Sequence, residues 1–600
     1  MTGPGETGTL LLIVGPSGVG KDSLIDGLRE RLDDARFEFA QRVITRPVDA
    51  GGEAHEACTP DAFAQRESQG DFLISWRAHG LAYGLKSSIR ETLAQGRHVI
   101  ANGSRGAVET LSRRVQRLTV IEINAPAEML AARLASRARE PAEGLERRLA
   151  RAHAEFSYPQ GVTVLRVMND SRLDIGIARL EATVRRHLGL ASQTASGPVL
   201  SKIAGQRIDA SGFATALSDI VVGKLSGAMR DAFLTACASD LDDEEIVAVA
   251  RWRSTLMPRV QWDAPIVVDK HSLGGTAGSR VTMVVIPIVA AHGLTIPKTS
   301  SRAITSASGT ADAMEVLARV DLDPEALRRC VASARACIAW NGRLNHSLLD
   351  ETMHRIEREL KLDTRRWSVA SILSKKWSAG ATHVVIDIPY APKGKVHSRE
   401  AAGALAQVFE TVGAQLGLTV RAFSTDASAP IGRGIGPALE ARDAMQILEN
   451  HPQAPEDLRQ KSLFFASQII ALDPQLKGDL AAAERRALEL LESGRAHAAM
   501  QAIIEAQGRR LAPDPSGLHE ETVRSNRSGN IARVRAQAIS AIARAAGAPA
   551  DLLAGVDLLA RPGDHIDRGA PLFRLQGRDP QAVARALDLT GIDSGFDWCE

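Results

Sequence analysis

Two sets of residues in this chain combine glycine, lysine and short hydroxyl side chains at spacings suited to holding phosphate. The first is Gly15-Pro16-Ser17-Gly18-Val19-Gly20-Lys21-Asp22-Ser23. A loop of the form G-x-x-x-x-G-K turns successive backbone N–H groups toward phosphate oxygens, the following helix adds its positive end, and the lysine adds a full charge. Gly15, Ser17, Gly18 and Gly20 thus form the candidate cradle for ATP, with Lys21 the catalytic cation. Where such loops usually place Ser or Thr for magnesium this chain has Asp22, so the metal falls to Asp22 or Ser23. The second set joins Asp269-Lys270-His271-Ser272-Leu273-Gly274-Gly275 to Thr299-Ser300-Ser301-Arg302-Ala303-Ile304-Thr305-Ser306 and Thr310. Lysine supplies charge, serine and threonine short donors, and glycine close backbone approach, which together make a pocket for a small oxyanion. Each of these serines alone reads as an ordinary loop residue, and the first loop alone as a glycine-rich turn. Jointly they predict two separate phosphate chemistries on one chain, a bifunctional enzyme.

Elements of alternating type must position these residues. An apolar run over 9–14 ends in glycine, as a buried parallel strand does, and Leu24, Ile25, Leu28 and Leu32 follow at helical spacing, giving strand, loop and helix. Short apolar runs at 99–100 and 118–123 and an Arg-rich helical pattern over 129–156 continue this α/β material. Periodicity is lost over 188–205, where Ser, Thr, Gly and Pro gather and a linker is expected. Successive amphipathic helices are predicted over 214–257, then strands at 266–268 and 384–386. The sequence Asp269-Lys270-His271-Ser272 is expected to follow the first of these. Helices return over 401–416 and 457–507. Turn pairs Pro562-Gly563 and Arg568-Gly569 mark a small β-rich C-terminal module. The expected architecture is an α/β multidomain protein: a P-loop domain over 1–187, linker 188–205, a helical part over 206–262, an α/β phosphate- and nucleotide-binding part over 263–510, and the β-rich module over 511–600.

Composition agrees with several ordinary globular cores. The 600 residues exceed what one core holds, and 44% apolar with 24% charged residues is typical of folded soluble protein. A formal net charge of +2 with mixed signs argues against nucleic-acid or membrane partners. The five cysteines have an odd count and no CxxC spacing, which fits free thiols in a reducing compartment rather than disulfides or zinc. The apolar stretch 281–291 is shorter than the ~20 residues of a membrane span. The first residues lack the pattern of a signal peptide. A cytoplasmic location is expected.

The first half resembles guanylate-kinase-like folds through Arg42-Val43-Ile44-Thr45-Arg46-Pro47, Gly52-Glu53, Ser75-Trp76, Tyr83-Gly84 and Asn102-Gly103-Ser104-Arg105. Within them it looks most like the ribose 1,5-bisphosphate phosphokinases of phosphonate catabolism. Ala54-His55-Glu56 stands where guanylate kinases carry an Asp-Tyr pair for the base. The resemblance implies that Arg133, Arg137, Arg139, Arg147 and Arg148 form a lid over ATP, with Arg133 and Arg137 its ATP contacts; a solvated basic helix face is the other reading. Arg46, with Tyr83, is a candidate acceptor clamp, since guanidinium binds phosphate through two parallel bonds; its other reading is a surface charge before Pro47.

From about residue 200 onward the chain resembles the thymidine phosphorylase family, in the branch typified by archaeal AMP phosphorylases, through Ser301 to Ser306, Arg355-Ile356-Glu357-Arg358, Ala370-Ser371-Ile372-Leu373-Ser374-Lys375-Lys376, residues 383–389 and residues 432–440. This implies that Gly275, Ser301, Arg302, Ala303, Ile304, Thr305, Ser306 and Thr310 hold phosphate and nucleotide, with Lys270 and Ser272. It makes Asp363 the proton donor to the departing base, and Ser371 and Lys395 substrate contacts, with Lys393 a rival for Lys395. The Tyr and Arg that contact the base in the pyrimidine enzymes would fall on Met353 and Ile356. The resemblance also implies a homo-oligomer. The expected cofactor is ATP with magnesium and the expected co-substrate inorganic phosphate. The preferred reading joins phosphorolysis of a nucleoside 5′-monophosphate to ATP-dependent phosphorylation of the ribose 1,5-bisphosphate released. The alternatives are an uncoupled thymidine or pyrimidine nucleoside phosphorylase, and one half serving only as a nucleotide sensor.

Overall fold

The computed structural model describes residues 7–32, 34–47, 54–78, 80–136, 156–193, 195–256, 259–274, 276–303, 306–342, 348–392 and 394–599. The chain divides into two compact units, one of residues 1–241 with 351–363, the other of 242–350 with 364–600.

The first unit is built on a five-stranded parallel sheet in the order β2 (Phe37–Phe39), β7 (His98–Asn102), β1 (Leu10–Val14), β8 (Leu118–Asn124), β9 (Thr163–Met168). All five residues of β1 are fully buried. A strand flanked by sheet neighbours and covered on both faces must read as an unbroken apolar run, and Leu-Leu-Leu-Ile-Val does. Alternate residues serve different cores. Leu11 and Ile13 pack with Leu24 and Leu28 of the helix Lys21–Arg31, while Leu10, Leu12 and Val14 pack with Val99, Val108 and Val120. A smaller sheet in the order β4 (Glu56–Ala57), β3 (Val43–Ile44), β6 (Leu81–Lys86), β5 (Phe72–Ala78) carries the second half of the kinase-like motifs, with β5 and β6 an antiparallel hairpin.

The stretch expected to be a linker is part helical. Gly197–Ile203 forms a helix because Pro198 occupies its first turn, where no N–H is needed, and Val199, Leu200 and Ile203 are apolar and buried. The helices Ala210–Val221 and Gly227–Ser239 also belong to this unit. Buried Asp231 of the latter accepts from Arg172 at 2.8 Å and from Arg355 at 2.9 Å.

In the second unit, parallel strands β10 (Val268–Ser272), β13 (His383–Tyr390) and β14 (Thr419–Asp426) form one sheet, and β11 (Ile296–Ser300) pairs with β12 (Ala336–Trp340). A single parallel bridge between Val267 and Thr295 joins the two. Asp269-Lys270-His271-Ser272 was expected to follow a strand but lies within β10, because its register with β13 continues through Ser272 opposite Asp387. The helix Val281–His292 is buried along residues 281–290 and packs among Glu456–Ile470, Leu480–Glu492 and Arg495–Gln507. Among the described residues no helix is long and apolar enough to cross a membrane. The C-terminal region contains antiparallel strands and two helices, Ala536–Ala545 and Pro580–Ile592. All five cysteines are free thiols.

Two candidate phosphate sites

The first site stands at the carboxyl end of β1. Gly15, Gly18 and Gly20 adopt φ of 151°, 82° and 93°, a region that strains any residue with a Cβ. At Gly20 the obstacle is also steric, since an added Cβ would lie 2.7 Å from the Asn169 carboxamide. That carboxamide donates to the Val19 carbonyl at 2.8 Å, clamping the loop from 150 residues away. Lys21 Nζ donates to the carbonyls of Gly15 and Pro16 at 2.8 and 2.9 Å, curling the loop around the ammonium. Ser17 and Ser23 are exposed. Asp22 accepts from the Asn102 carboxamide at 2.7 Å.

Arg133 donates to the Asn169 carbonyl at 3.1 Å, so the only described member of the predicted lid pair is tied to the same residue that clamps the loop. Arg137, with Arg139, Arg147 and Arg148, lies outside the described residues. On the acceptor side, Arg46 meets His55 at 3.3 Å, and the His55 ring returns to the Arg46 carbonyl at 3.1 Å. Tyr83 stacks on Trp76 with ring centroids 5.5 Å apart, and the Arg42 guanidinium lies 5.2 Å from the Tyr83 centroid. Asn102 and Asn169, which brace the loop, were not among the predicted site residues.

The second site forms on one face of β10. Lys270, Ser272 and, from β13, Asp387 share that face by the alternation of a strand. Fully buried Asp387 accepts from Ser272 at 3.0 Å and from Thr425 at 2.6 Å, with Lys461 Nζ at 3.4 Å and Lys270 Nζ at 3.7 Å. Lys270 also lies 5.0 Å from the Phe465 ring centroid. Burial pushes its pKa down to about 8 against the opposing pull of Asp387. On the other face, Asp269 pairs with Lys376 at 2.7 Å and Lys298 at 3.5 Å. Burial lowers Lys298 to about 7 and, with Lys376 and Lys298 nearby, keeps the His271 ring neutral. These clusters hold more buried lysines than carboxylates, an arrangement that favours an anion.

The loop after β11 is held by its own carboxylates. Arg302 pairs with Asp312 at 3.2 Å and with Glu315, and stacks over Trp340. Asp312 accepts from the backbone N–H groups of Ala303 and Gly309 at 2.7 and 2.8 Å. Ser306 donates to the Ser308 carbonyl. Ser301 is exposed. Arg280 donates to Thr310 and to the Ser308 carbonyl, both at 3.1 Å, and pairs with buried Glu440. Gly275, Ile304 and Thr305 lie outside the described residues, as does Lys393.

Ser371 donates to Asp350 at 3.0 Å and accepts from Arg253 at 3.3 Å, while Lys375 pairs with Asp350 at 2.7 Å. Burial opposes ionisation of Asp350, but Arg253 and Lys375 outweigh it and hold its pKa below the usual carboxylate range. Arg253 and Asp350 were not predicted, since they are separated in sequence and carry no motif of their own; Lys375 stands in the 370–376 motif but had no role assigned to it. Asp363 is exposed, between the helices Leu348–Leu360 and Arg365–Ser378, and Lys395 is exposed in the loop after β13.

Comparison with known proteins agrees with this division. Residues 7–186 match the guanylate kinase family and residues 264–497 the α/β domain of a glycosyl transferase family. A bifunctional ribose 1,5-bisphosphokinase-thymidine phosphorylase of Cupriavidus pinatubonensis is 51% identical, the match covering 98% of this chain and 97% of the relative. Proteins of the same name from Cupriavidus necator and Azorhizobium caulinodans are 49% and 46% identical, covering 99% and 94% of this chain and 98% and 94% of theirs. The match along nearly the whole chain places this protein in the bifunctional ribose 1,5-bisphosphokinase-thymidine phosphorylase family.

Proposed function

We propose that the first half transfers phosphate from ATP to ribose 1,5-bisphosphate, giving 5-phosphoribosyl 1-diphosphate, and that the second half cleaves a nucleoside 5′-monophosphate with inorganic phosphate, releasing base and ribose 1,5-bisphosphate. The product of one site is then the substrate of the other, and the tether raises its local concentration.

The observation that carries the nucleotide reading is the burial of Met353 and Ile356, 2% and 0% exposed, at the positions that contact the base in pyrimidine enzymes of this family. Neither side chain offers a hydrogen bond, so recognition shifts from the base toward the phosphate-bearing sugar. This rests also on the likeness of residues 301–306 to the AMP phosphorylase branch. In the reaction an oxygen of inorganic phosphate bonds C1′ as the C1′–N bond breaks. The base leaves with that electron pair and takes a proton from Asp363. Lys270, Ser272, Thr310 and the Ser301 to Ser306 loop hold the phosphates, and Ser371 and Lys395 orient the substrate.

In the kinase half, Gly15, Ser17, Gly18, Gly20 and Lys21 hold the ATP phosphates and Arg133 and Arg137 cover them. Asp22, which accepts from Asn102 at one oxygen, and Ser23 are the groups that would hold magnesium. When bound, magnesium neutralises charge on the transferring phosphates.

The names of the relatives favour a second reading, phosphorolysis of thymidine uncoupled from the kinase. Phosphate-dependent base release from AMP, CMP and UMP, compared with thymidine and uridine at equal concentration, separates the two. Preference for monophosphates is expected, with 5-phosphoribosyl 1-diphosphate appearing once ATP is added; preference for thymidine overturns the linked route.

A further inference from the structure

Ribose 1,5-bisphosphate carries two phosphates, and the predicted acceptor clamp holds one arginine, Arg46, while Arg42 lies over the Tyr83 ring. Transfer to the 1-phosphate requires a second cation close to the loop that holds ATP. Arg105 stands there. It opens the short turn Arg105–Ala107 directly after β7, and three contacts fix its place. Asn102, the last residue of β7, donates to Asp22 of the P-loop helix at 2.7 Å. The Gly103 N–H donates to the Ile13 carbonyl at 2.9 Å, two residues before Gly15. Arg105 Nη2 pairs at 3.0 Å with Glu122, which stands opposite Val14 in the β1–β8 register. The same turn packs against β5, the strand that carries Ser75 and Trp76 of the acceptor hairpin. Arg105 therefore lies between the ATP loop and the hairpin.

Its bonding is incomplete in a way that matters. Glu122 is 7% exposed and also accepts from Tyr158 at 2.8 Å, so it is a fixed anchor that orients one edge of the guanidinium. The Nε–H of Arg105 is buried without a hydrogen-bond partner. A buried donor left unmade is costly, so a site that keeps one gains when an acceptor atom arrives. Phosphate oxygens, like carboxylates, match the donor geometry of a guanidinium edge.

We propose that Arg105 binds the 1-phosphate of the acceptor, with Glu122 as its positioning residue, leaving Arg46 for the 5-phosphate. This rests on the kinase reading above. In the step it serves, an oxygen of the 1-phosphate bonds the terminal phosphorus of ATP. The bond from that phosphorus to the bridging oxygen breaks, and its electron pair leaves on ADP. The 1-phosphate is already a dianion at neutral pH, so no base is needed, and Arg105 offsets the repulsion between the two phosphates.

Steady-state kinetics with ATP and ribose 1,5-bisphosphate test it. If the unaltered protein forms no 5-phosphoribosyl 1-diphosphate, the kinase reading itself falls. If it does, Arg105→Gln is expected to raise KM for the bisphosphate at least 10-fold while KM for ATP stays within twofold and phosphorolysis is unchanged. Arg105→Lys, which keeps the charge but loses the Nε–H, is expected to raise the acceptor KM as well. Unchanged acceptor KM in Arg105→Lys, or equal rises for ATP and acceptor in Arg105→Gln, overturns the assignment. Should Arg105→Gln fail to bind ATP, the Lys variant decides alone.

Discussion

Lys21 and Lys270, the lysines of the two candidate sites, stand under opposite solvation. Lys21 is partly exposed and bonds two carbonyls of its own loop; Lys270 is 1% exposed and shares one carboxylate with Lys461. Because burial depresses Lys270, the native protein binds fewer protons than the unfolded chain between about pH 8 and the ordinary lysine value. Its unfavourable contribution is complete below pH 8 and fades as pH rises through that window, so this group makes stability rise with pH there. Function runs the other way: KM for inorganic phosphate is expected to increase above about pH 8 as the charge is lost. Lys270→Met should abolish both trends, lower phosphorolysis at least 100-fold, and lower thermal stability only modestly because Asp387 keeps Ser272, Thr425 and Lys461, measured by pH-dependent kinetics and thermal scans. Both lysines stand out in sequence, because a lysine among glycines or beside serine has a recognisable neighbourhood. Asp387, Thr425 and Lys461 do not, since each becomes part of a site only through pairing between distant segments.

Loops hold their shape here through carboxylates placed on the elements beneath them. Arg280 links the loop before Thr310 to Glu440, which burial pushes toward the neutral form while Arg280 opposes it. Removing one partner of such a pair costs about 3–5 kcal/mol. Arg280→Met is accordingly expected to lower the melting temperature by several degrees and to raise KM for phosphate, whereas Arg302→Met, whose side chain is 36% exposed, should alter KM with a smaller loss of stability. At this scale the strand–loop–helix of the first site followed from hydrophobic spacing alone. The linker reading over 188–205 missed a helix because seven residues, Gly197–Ile203, are too few to show a period. The sequence Asp269-Lys270-His271-Ser272 reads as following a strand rather than belonging to one, because its polar residues mask a strand whose burial comes from sheet neighbours rather than from its own composition.

Two compact units with separate cores should respond separately to ligands. In calorimetry, ATP is expected to raise one unfolding transition and inorganic phosphate the other. Lys21→Met should erase the ATP shift and reduce kinase turnover about 10³-fold while base release continues. A single transition moved equally by both ligands would contradict this. Asp231→Ala should lower only the ATP-responsive transition, by about 1–2 kcal/mol, because Arg172 and Arg355 are 36% exposed and keep Glu359 as a partner.

The backbone changes unit three times, after residues 241, 350 and 363. Continuous pieces of chain therefore do not coincide with compact units. Cutting the chain near residue 190 would leave the helices Ala210–Val221 and Gly227–Ser239, with residues 351–363, on a different fragment from the rest of their unit.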